Sequence, residues 1–321
     1  MGVERRVVLI VVALVAVSVV GLCLFFILRR PSGLYRVTLL PSLGGDAMAA
    51  HAINDRGQVV GVAQTKDGLY HLFLWDREHG VQDLGATGDA RFDINNAGQI
   101  AGAMPDPNGN QQACLWESPD PRPVLLGTLG GKSSQAMAIN DRGQIAGASD
   151  MPNGSRHAIL WDRATGMKDL GTLGDSESYA HAINDVGDVL GVSHTPRQRL
   201  RPFIWDAKDG MAAIEPSQIE AGFFAINKGS WIVGQVSSPP SNGSVAIWRK
   251  GESPRKLLSL DGFMDGMTLL NDANQIVFSE TPPRQSSFDD VSPFLCRDRV
   301  SVIPIIVPKI RSGICSMIGD T

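Results

Sequence analysis

The sequence is short of the features that announce chemistry. Its four cysteines, Cys23, Cys114, Cys296 and Cys315, form no CxxC pair and so spell no zinc or redox motif. A Cys296–Cys315 bridge stays open, because spacing alone cannot pair cysteines. No nucleophile elbow, phosphate-binding glycine loop or HExxH pair occurs. Charged residues make up 19% of the chain, and a net charge of −4 leaves no basic footprint for nucleic acid. After residue 30 no apolar pattern of period 3.6 is sustained, which argues against a helical domain. Aromatic residues are scarce at 6%, yet five of the six tryptophans fall in strict order.

That order belongs to a repeat. The phrase Ala52-Ile53-Asn54-Asp55-Arg56-Gly57-Gln58 returns around Asn95, Asn140, Asn184, Asn227 and, worn down, Asn271, at steps of 41, 45, 44, 43 and 44 residues. Seven residues after each of the first five asparagines stands a glycine: Gly61, Gly102, Gly147, Gly191 and Gly234. Twenty-one residues after them stand Trp75, Trp116, Trp161, Trp205 and Trp248. Self-similarity of this period marks a repeat architecture.

Within the first unit, His51–Asn54, Gln58–Ala63, Tyr70–Asp76 and Val81–Gly85 read as four short strands separated by turn residues. Six such units predict an all-β domain, a six-bladed β-propeller of repeats of about 44 residues. An open solenoid is the alternative. The glycine three places after each asparagine (Gly57, Gly98, Gly143, Gly187) is expected in a left-handed turn. Copy five has Ser230 in that slot and Gly229 beside it, so its turn is expected to be altered. The second glycine marks close approach of strands. Tyr35–Gly45 resembles a fourth strand and exit loop, which would complete the last blade; residues 300–307 also read as a fourth strand, one too many. Cys296 takes the tryptophan slot of copy six.

Val7–Leu28 is an uncharged run of 22 residues framed by arginines, long enough to cross a hydrocarbon layer of about 30 Å. It predicts one N-terminal transmembrane helix and hence a membrane partner. The expected plan is a tail (1–6), the anchor (7–28), a linker (29–34), the repeat domain (35–307) and a C-terminal tail (308–321). Flanking arginines nearly balance, so charge alone does not orient the anchor.

In a propeller, loops joining strands two and three share one rim with the connectors between blades, and tight turns occupy the other. The variable loops make that first rim the candidate binding face, with Arg197, Arg199, Arg201, Asn108, Asn153 and Asn242 as candidate residues. The three arginines would attract an anion, although a solvated charge cluster explains them as well. Regular tryptophans inside apolar strands read better as packing between sheets than as sugar platforms. His51, His181, His71 and His157 recur by unit, but Phe92, Met137, Phe224, Gln112 and Arg201 break any ring of ligands. Asp76, Glu117, Asp162 and Asp206 recur after the tryptophans, as turn-forming residues do. No catalytic residue, cofactor or metal site is predicted.

The phrases HAIND-x-G-Q-x-x-G, LWD and DLGTLGG, spread over about residues 36–300, resemble the bacterial HAF-repeat (extracellular-repeat) proteins. The resemblance implies a propeller-like fold and a secreted or surface location, and brings no assigned activity. Two functions follow as expectations: a membrane-anchored extracytoplasmic scaffold binding a protein or polysaccharide without catalysis, or a cell-surface glycan hydrolase or lyase with a site in the propeller channel.

Overall fold

Apolar runs bounded by turn residues at short intervals leave the chain little choice but antiparallel sheets, and each copy of the repeat forms one. The computed structural model describes residues 39–87, 91–117, 120–196, 200–214, 225–238, 241–252, 254–259, 269–270, 272, 275–280 and 299–304. The chain divides into two units, Met1–Leu40 and Pro41–Thr321, and every described strand lies in the second. The expected anchor and the C-terminal tail fall outside the described residues. Among those described, no helix is long and apolar enough to cross a membrane.

Six sheets follow one another, spanning residues 44–86, 93–125, 134–169, 178–213, 225–259 and 269–304. Five have four strands paired in chain order, and the sixth has three. In the first sheet the strands are Gly44–Ile53, Val59–Thr65, Tyr70–Asp76 and Gly80–Ala86, so the first is longer than expected and takes in Gly44 and Gly45. The expectation for residues 300–307 needs correcting: Arg299–Pro304 pairs directly with Gln275–Glu280, Ile303 opposite Ile276, and holds the third place in its sheet. Cys296 lies outside the described residues. Ahead of the first sheet, Gly44 N donates to Ser42 Oγ at 3.1 Å, as Gly130 and Gly174 do to Thr128 and Thr172. The three glycines share φ values of 103°, 99° and 106°, so Gly44 has the turn geometry of the later exit loops; residues 35–38, expected in a fourth strand, lie outside the described residues.

Both faces of these strands are covered, which explains why they read as unbroken apolar runs. In the strand Arg156–Asp162, Ile159 and Trp161 pack with Ala113 and Leu115 of the second sheet. Ala158 and Leu160, pointing the other way, pack with Val189, Phe203 and Trp205 of the fourth. The same seam recurs from sheet one through sheet six in five apolar clusters. Trp116, Trp161, Trp205 and Trp248 are buried in them, and Trp75 is half-buried. Tryptophan here is the residue that fills the space between sheets.

The two glycines of each repeat do different work. Gly57, Gly98, Gly143 and Gly187 have φ between 75° and 94° and close the turn after the asparagine. Copy five is not altered, contrary to expectation. Ser230 itself adopts φ 55°, and its amide still donates to Asn227 O at 2.9 Å, as Gly57 does to Asn54 O. At the second position a side chain has no room: a Cβ on Gly61, Gly147 or Gly191 would lie 2.0, 1.9 or 2.1 Å from a carbonyl oxygen of the neighbouring strand. A bulge beside each glycine skips His51, Met137 or His181.

The two kinds of glycine therefore differ in cost. Gly57→Ala meets open space and carries only the left-handed penalty, roughly 1 kcal/mol. Gly147→Ala drives a methyl into backbone and should cost roughly 3 kcal/mol. Chemical denaturation of the two variants checks the ranking.

Candidate functional site

The turns that open each repeat meet in one recess of about 260 Å³, lined by the Ile-Asn-Asp positions of the sheets from Ile53 through Asp272. Its frame is a hydrogen-bond relay. The buried Asn54 accepts on Oδ1 from the amides of Arg56 (3.1 Å) and Gln58 (3.0 Å) within its own turn. Its Nδ2 donates to Gln58 Oε1 at 2.8 Å and, across the seam, to Asn95 O at 3.0 Å. Asn95 does the same to Asn140 O, Asn140 to Asn184 O and Asn184 to Asn227 O, at 2.9–3.1 Å. Asparagine suits this place because it brings an acceptor and two donors.

One residue further on, a second course of contacts faces the recess. The amides of Asp55, Asn96 and Asp141 each donate at 2.8 Å to Oδ1 of the next sheet's residue, Asn96, Asp141 and Asp185 respectively. Asn96 Nδ2 donates to both neighbouring carboxylates, Asp55 at 2.8 Å and Asp141 at 3.0 Å. Copy five has Lys228 at this position. Its Nζ lies 3.0 Å from Asp185, 3.4 Å from Asp272 and 3.7 Å from Asp141. The carboxylates of Asp185 and then Asp272 hold its ammonium above the usual lysine range.

Asp93, on the innermost strand of the second sheet, is the acid that breaks the repeat near this axis; the matching positions hold Ala52, Ala138, Ala182, Ala225 and Leu269. Its Oδ1 accepts from its neighbour Ile94 N and its Oδ2 from Ile139 N of the third sheet, both at 2.9 Å. Burial pushes its carboxyl up to about 6, against the two amide bonds that pull it down. His181 faces solvent but is ringed by protein, and burial, then the charge of Arg91, holds its imidazole below the ordinary value. His51 accepts from Phe92 N at 3.2 Å and stacks on its ring. His71 and His157 bond Asp83 and Asp169, each at 2.9 Å, on equivalent strands. Cys114 is a buried free thiol pushed up to about 12 by burial. Among the described residues, no three His, Cys, Asp or Glu side chains converge as metal ligands.

The other recurring polar residues also have structural partners. Asp76 Oδ1 accepts from the amides of Glu78 and His79, and Asp206 Oδ1 from those of Lys208 and Asp209, as turn-forming residues should. Glu117 differs, taking Gln99 Nε2 at 2.9 Å and Arg163 of the next sheet. On the opposite rim, Ser134 Oγ donates to Gly127 O at 2.6 Å and accepts from Ala113 N at 3.0 Å, latching a connector to the preceding sheet. Ser178 repeats this with Gly171 O and Ala158 N.

The candidate loop residues are not brought together by any described contact. Asn108 sits exposed in a turn closed by Asp106, whose Oδ1 takes its amide at 2.8 Å. Asn153 Oδ1 accepts from Ser155 N and Oγ, closing its own turn. Arg201 is half-buried in a strand opposite Ser193, and Arg197 and Arg199 lie outside the described residues. Asn242 needs correcting, since it stands in the strand Ser241–Arg249 rather than a loop; Ser241 pairs with Ser238 of the preceding strand. Reading by motif missed Lys228, Asp93 and the serine latches. Each had a signal: a residue type that departs from its copies, or for the serines one that recurs at a fixed offset.

No protein-family profile matches the chain, and no curated protein matches it. Solved structures do. The β-propeller domain of the Trilobed protease from Pyrococcus furiosus aligns with TM-score 0.56 and 10% identity, covering 79% of this chain and 78% of that one. TolB from Acinetobacter baumannii aligns with TM-score 0.51 and 16% identity, covering 67% of this chain and 54% of that one. A puromycin-hydrolyzing peptidase of Mycobacterium tuberculosis aligns with TM-score 0.54 and 13% identity, covering 84% and 47%. The chain thus spans about half the length of the TolB and peptidase structures. At these identities the likeness defines a fold, and the fold is a β-propeller of four-stranded antiparallel sheets.

Two outcomes follow from this geometry. Asn140→Asp removes both Nδ2 donors, leaves Asn184 O with only its bond from Gly187 N, and buries a charge; it should cost about 2–4 kcal/mol and lower the melting temperature accordingly. For Asp93 the folded carboxyl binds its proton more tightly than the unfolded one, whose value is 3.8. Its contribution therefore falls as pH rises from about 3.8 to about 6 and is level above, by at most about 3 kcal/mol. Melting curves should show the gap between Asp93→Asn and the parent moving in the variant's favour from pH 4 to pH 7.

Proposed function

We propose that this chain is a six-bladed β-propeller, tethered by Val7–Leu28 with the propeller outside the cytoplasm, and that it binds a protein or polysaccharide through its loop rim without catalysis. What carries the reading is the division of polar groups between the two rims. The repeated Asn, Gln and Asp side chains of the turn rim are spent on one another and on backbone, sheet to sheet. Among the described residues, the acid that breaks symmetry near the axis, Asp93, has both oxygens committed to amides. The loops of the other rim differ from copy to copy on near-identical sheets, the arrangement by which a rigid scaffold presents a binding surface. Six blades are supported by the recess, to which turns from all six sheets contribute. The resemblance to HAF-repeat proteins supports the extracytoplasmic side.

A glycan array and a surface-protein pull-down with the detergent-solubilised full chain, followed by product analysis of every hit, test this. Retention of an intact ligand is the expected result, weakened by substitutions at Asn108 or Asn153 and not by Arg56→Ala on the turn rim. Cleaved sugar would replace this reading with the glycan hydrolase or lyase.

A further inference from the structure

Repeating an aspartate at one position of a ring of sheets gathers like charges at one place. Here Asp55, Asp141, Asp185 and Asp272 border the recess, and among the described residues the polar contacts to their Oδ2 atoms come from two residues that depart from the repeat. Asn96 offers donors to the carboxylates on either side. Lys228 reaches back across the fourth sheet to the third and forward to the sixth, so one ammonium touches three carboxylates on three sheets. Four aspartates and one lysine leave the ring at −3 by formal charge. A compact ammonium with three donors on a flexible four-carbon stem can serve three carboxylates at once, where a planar guanidinium would favour one.

We infer that Lys228 is a tethered counter-ion doing the work that a bound metal cation would do in an acidic ring: its ammonium holds the turns of the third, fourth and sixth sheets together and makes the domain independent of added cations. Oxygen-rich rings of this kind suit calcium. The lysine satisfies the oxygens from within the chain, and its neighbour Ser230 is anchored too, donating Oγ to Asp188 Oδ2 at 2.6 Å so that the lysine-bearing turn is fixed to the fourth sheet. The inference does not depend on what the loop rim binds.

The test is thermal melting of the full chain in detergent at low ionic strength, with calcium chloride, with sodium chloride of equal ionic strength, and with chelator. The parent should melt alike in all but a general salt effect. Lys228→Met should melt lower by at least about 2–4 °C, and millimolar calcium, but not matched sodium, should restore it. Asp185→Asn added to Lys228→Met should recover much of the loss without calcium, because asparagine keeps the Oδ1 that accepts from Asp141 N. A Lys228→Met protein melting like the parent at low salt would overturn the inference. So would a parent that gains from calcium as much as the variant, or a misfolded Lys228→Met rescued neither by calcium nor by Asp185→Asn.

Discussion

The carbonyl of Asn95 takes two donors, the amide of Gly98 in its own turn and the side-chain amide of Asn54 from the preceding sheet, both at 3.0 Å. Asn54 is buried, and a buried amide donor without a partner costs more than a typical hydrogen bond returns, so its second donor is close to obliged to find the neighbouring sheet. Repeated from Asn54 to Asn227, it ties five sheets at their inner ends. The apolar seams supply most of the stabilisation, but apolar packing tolerates sliding. The asparagine relay sets the register of one sheet on the next.

From that constraint the rest of the repeat follows. The turn must bring amides two and four residues on back to Oδ1, which requires a left-handed residue three places after the asparagine, glycine or Ser230. The glutamine four places after it completes the asparagine and, in the second and third sheets, passes the chain of bonds outward to Glu117 and Asp162. At the far rim, serines carry the connectors in the same way. Almost all the repeated polar chemistry is internal, and the loops between second and third strands are left to vary.

Much of this was legible in the sequence because each repeated type has one physical reason to be there. Fixed spacing of tryptophan and glycine announced stacked sheets; turn glycines announced left-handed corners; the strand Tyr70–Asp76 was bounded correctly by its flanking turn residues. What escaped reading were contacts between copies. Nothing local to Asn54 says that its second donor serves another sheet, and nothing local to Lys228 says that three carboxylates stand around it. Ser230 was misjudged because the turn is held by the asparagine side chain and the serine's own bond to Asp188, which outweigh its reluctance to adopt φ 55°. Asn242 differs because strand pairing already begins at Ser238 and Ser241, inside the loop expected around it.

The account stands on the relay coupling neighbouring sheets, and amide hydrogen exchange read turn by turn tests that most directly. With Asn95→Asp, the account predicts faster exchange in the turn of the second sheet, at Ala97 and Gln99, and also in the adjoining turns at Arg56, Gln58, Arg142 and Gln144. Faster exchange confined to the second sheet, with the neighbouring turns unchanged, would contradict it.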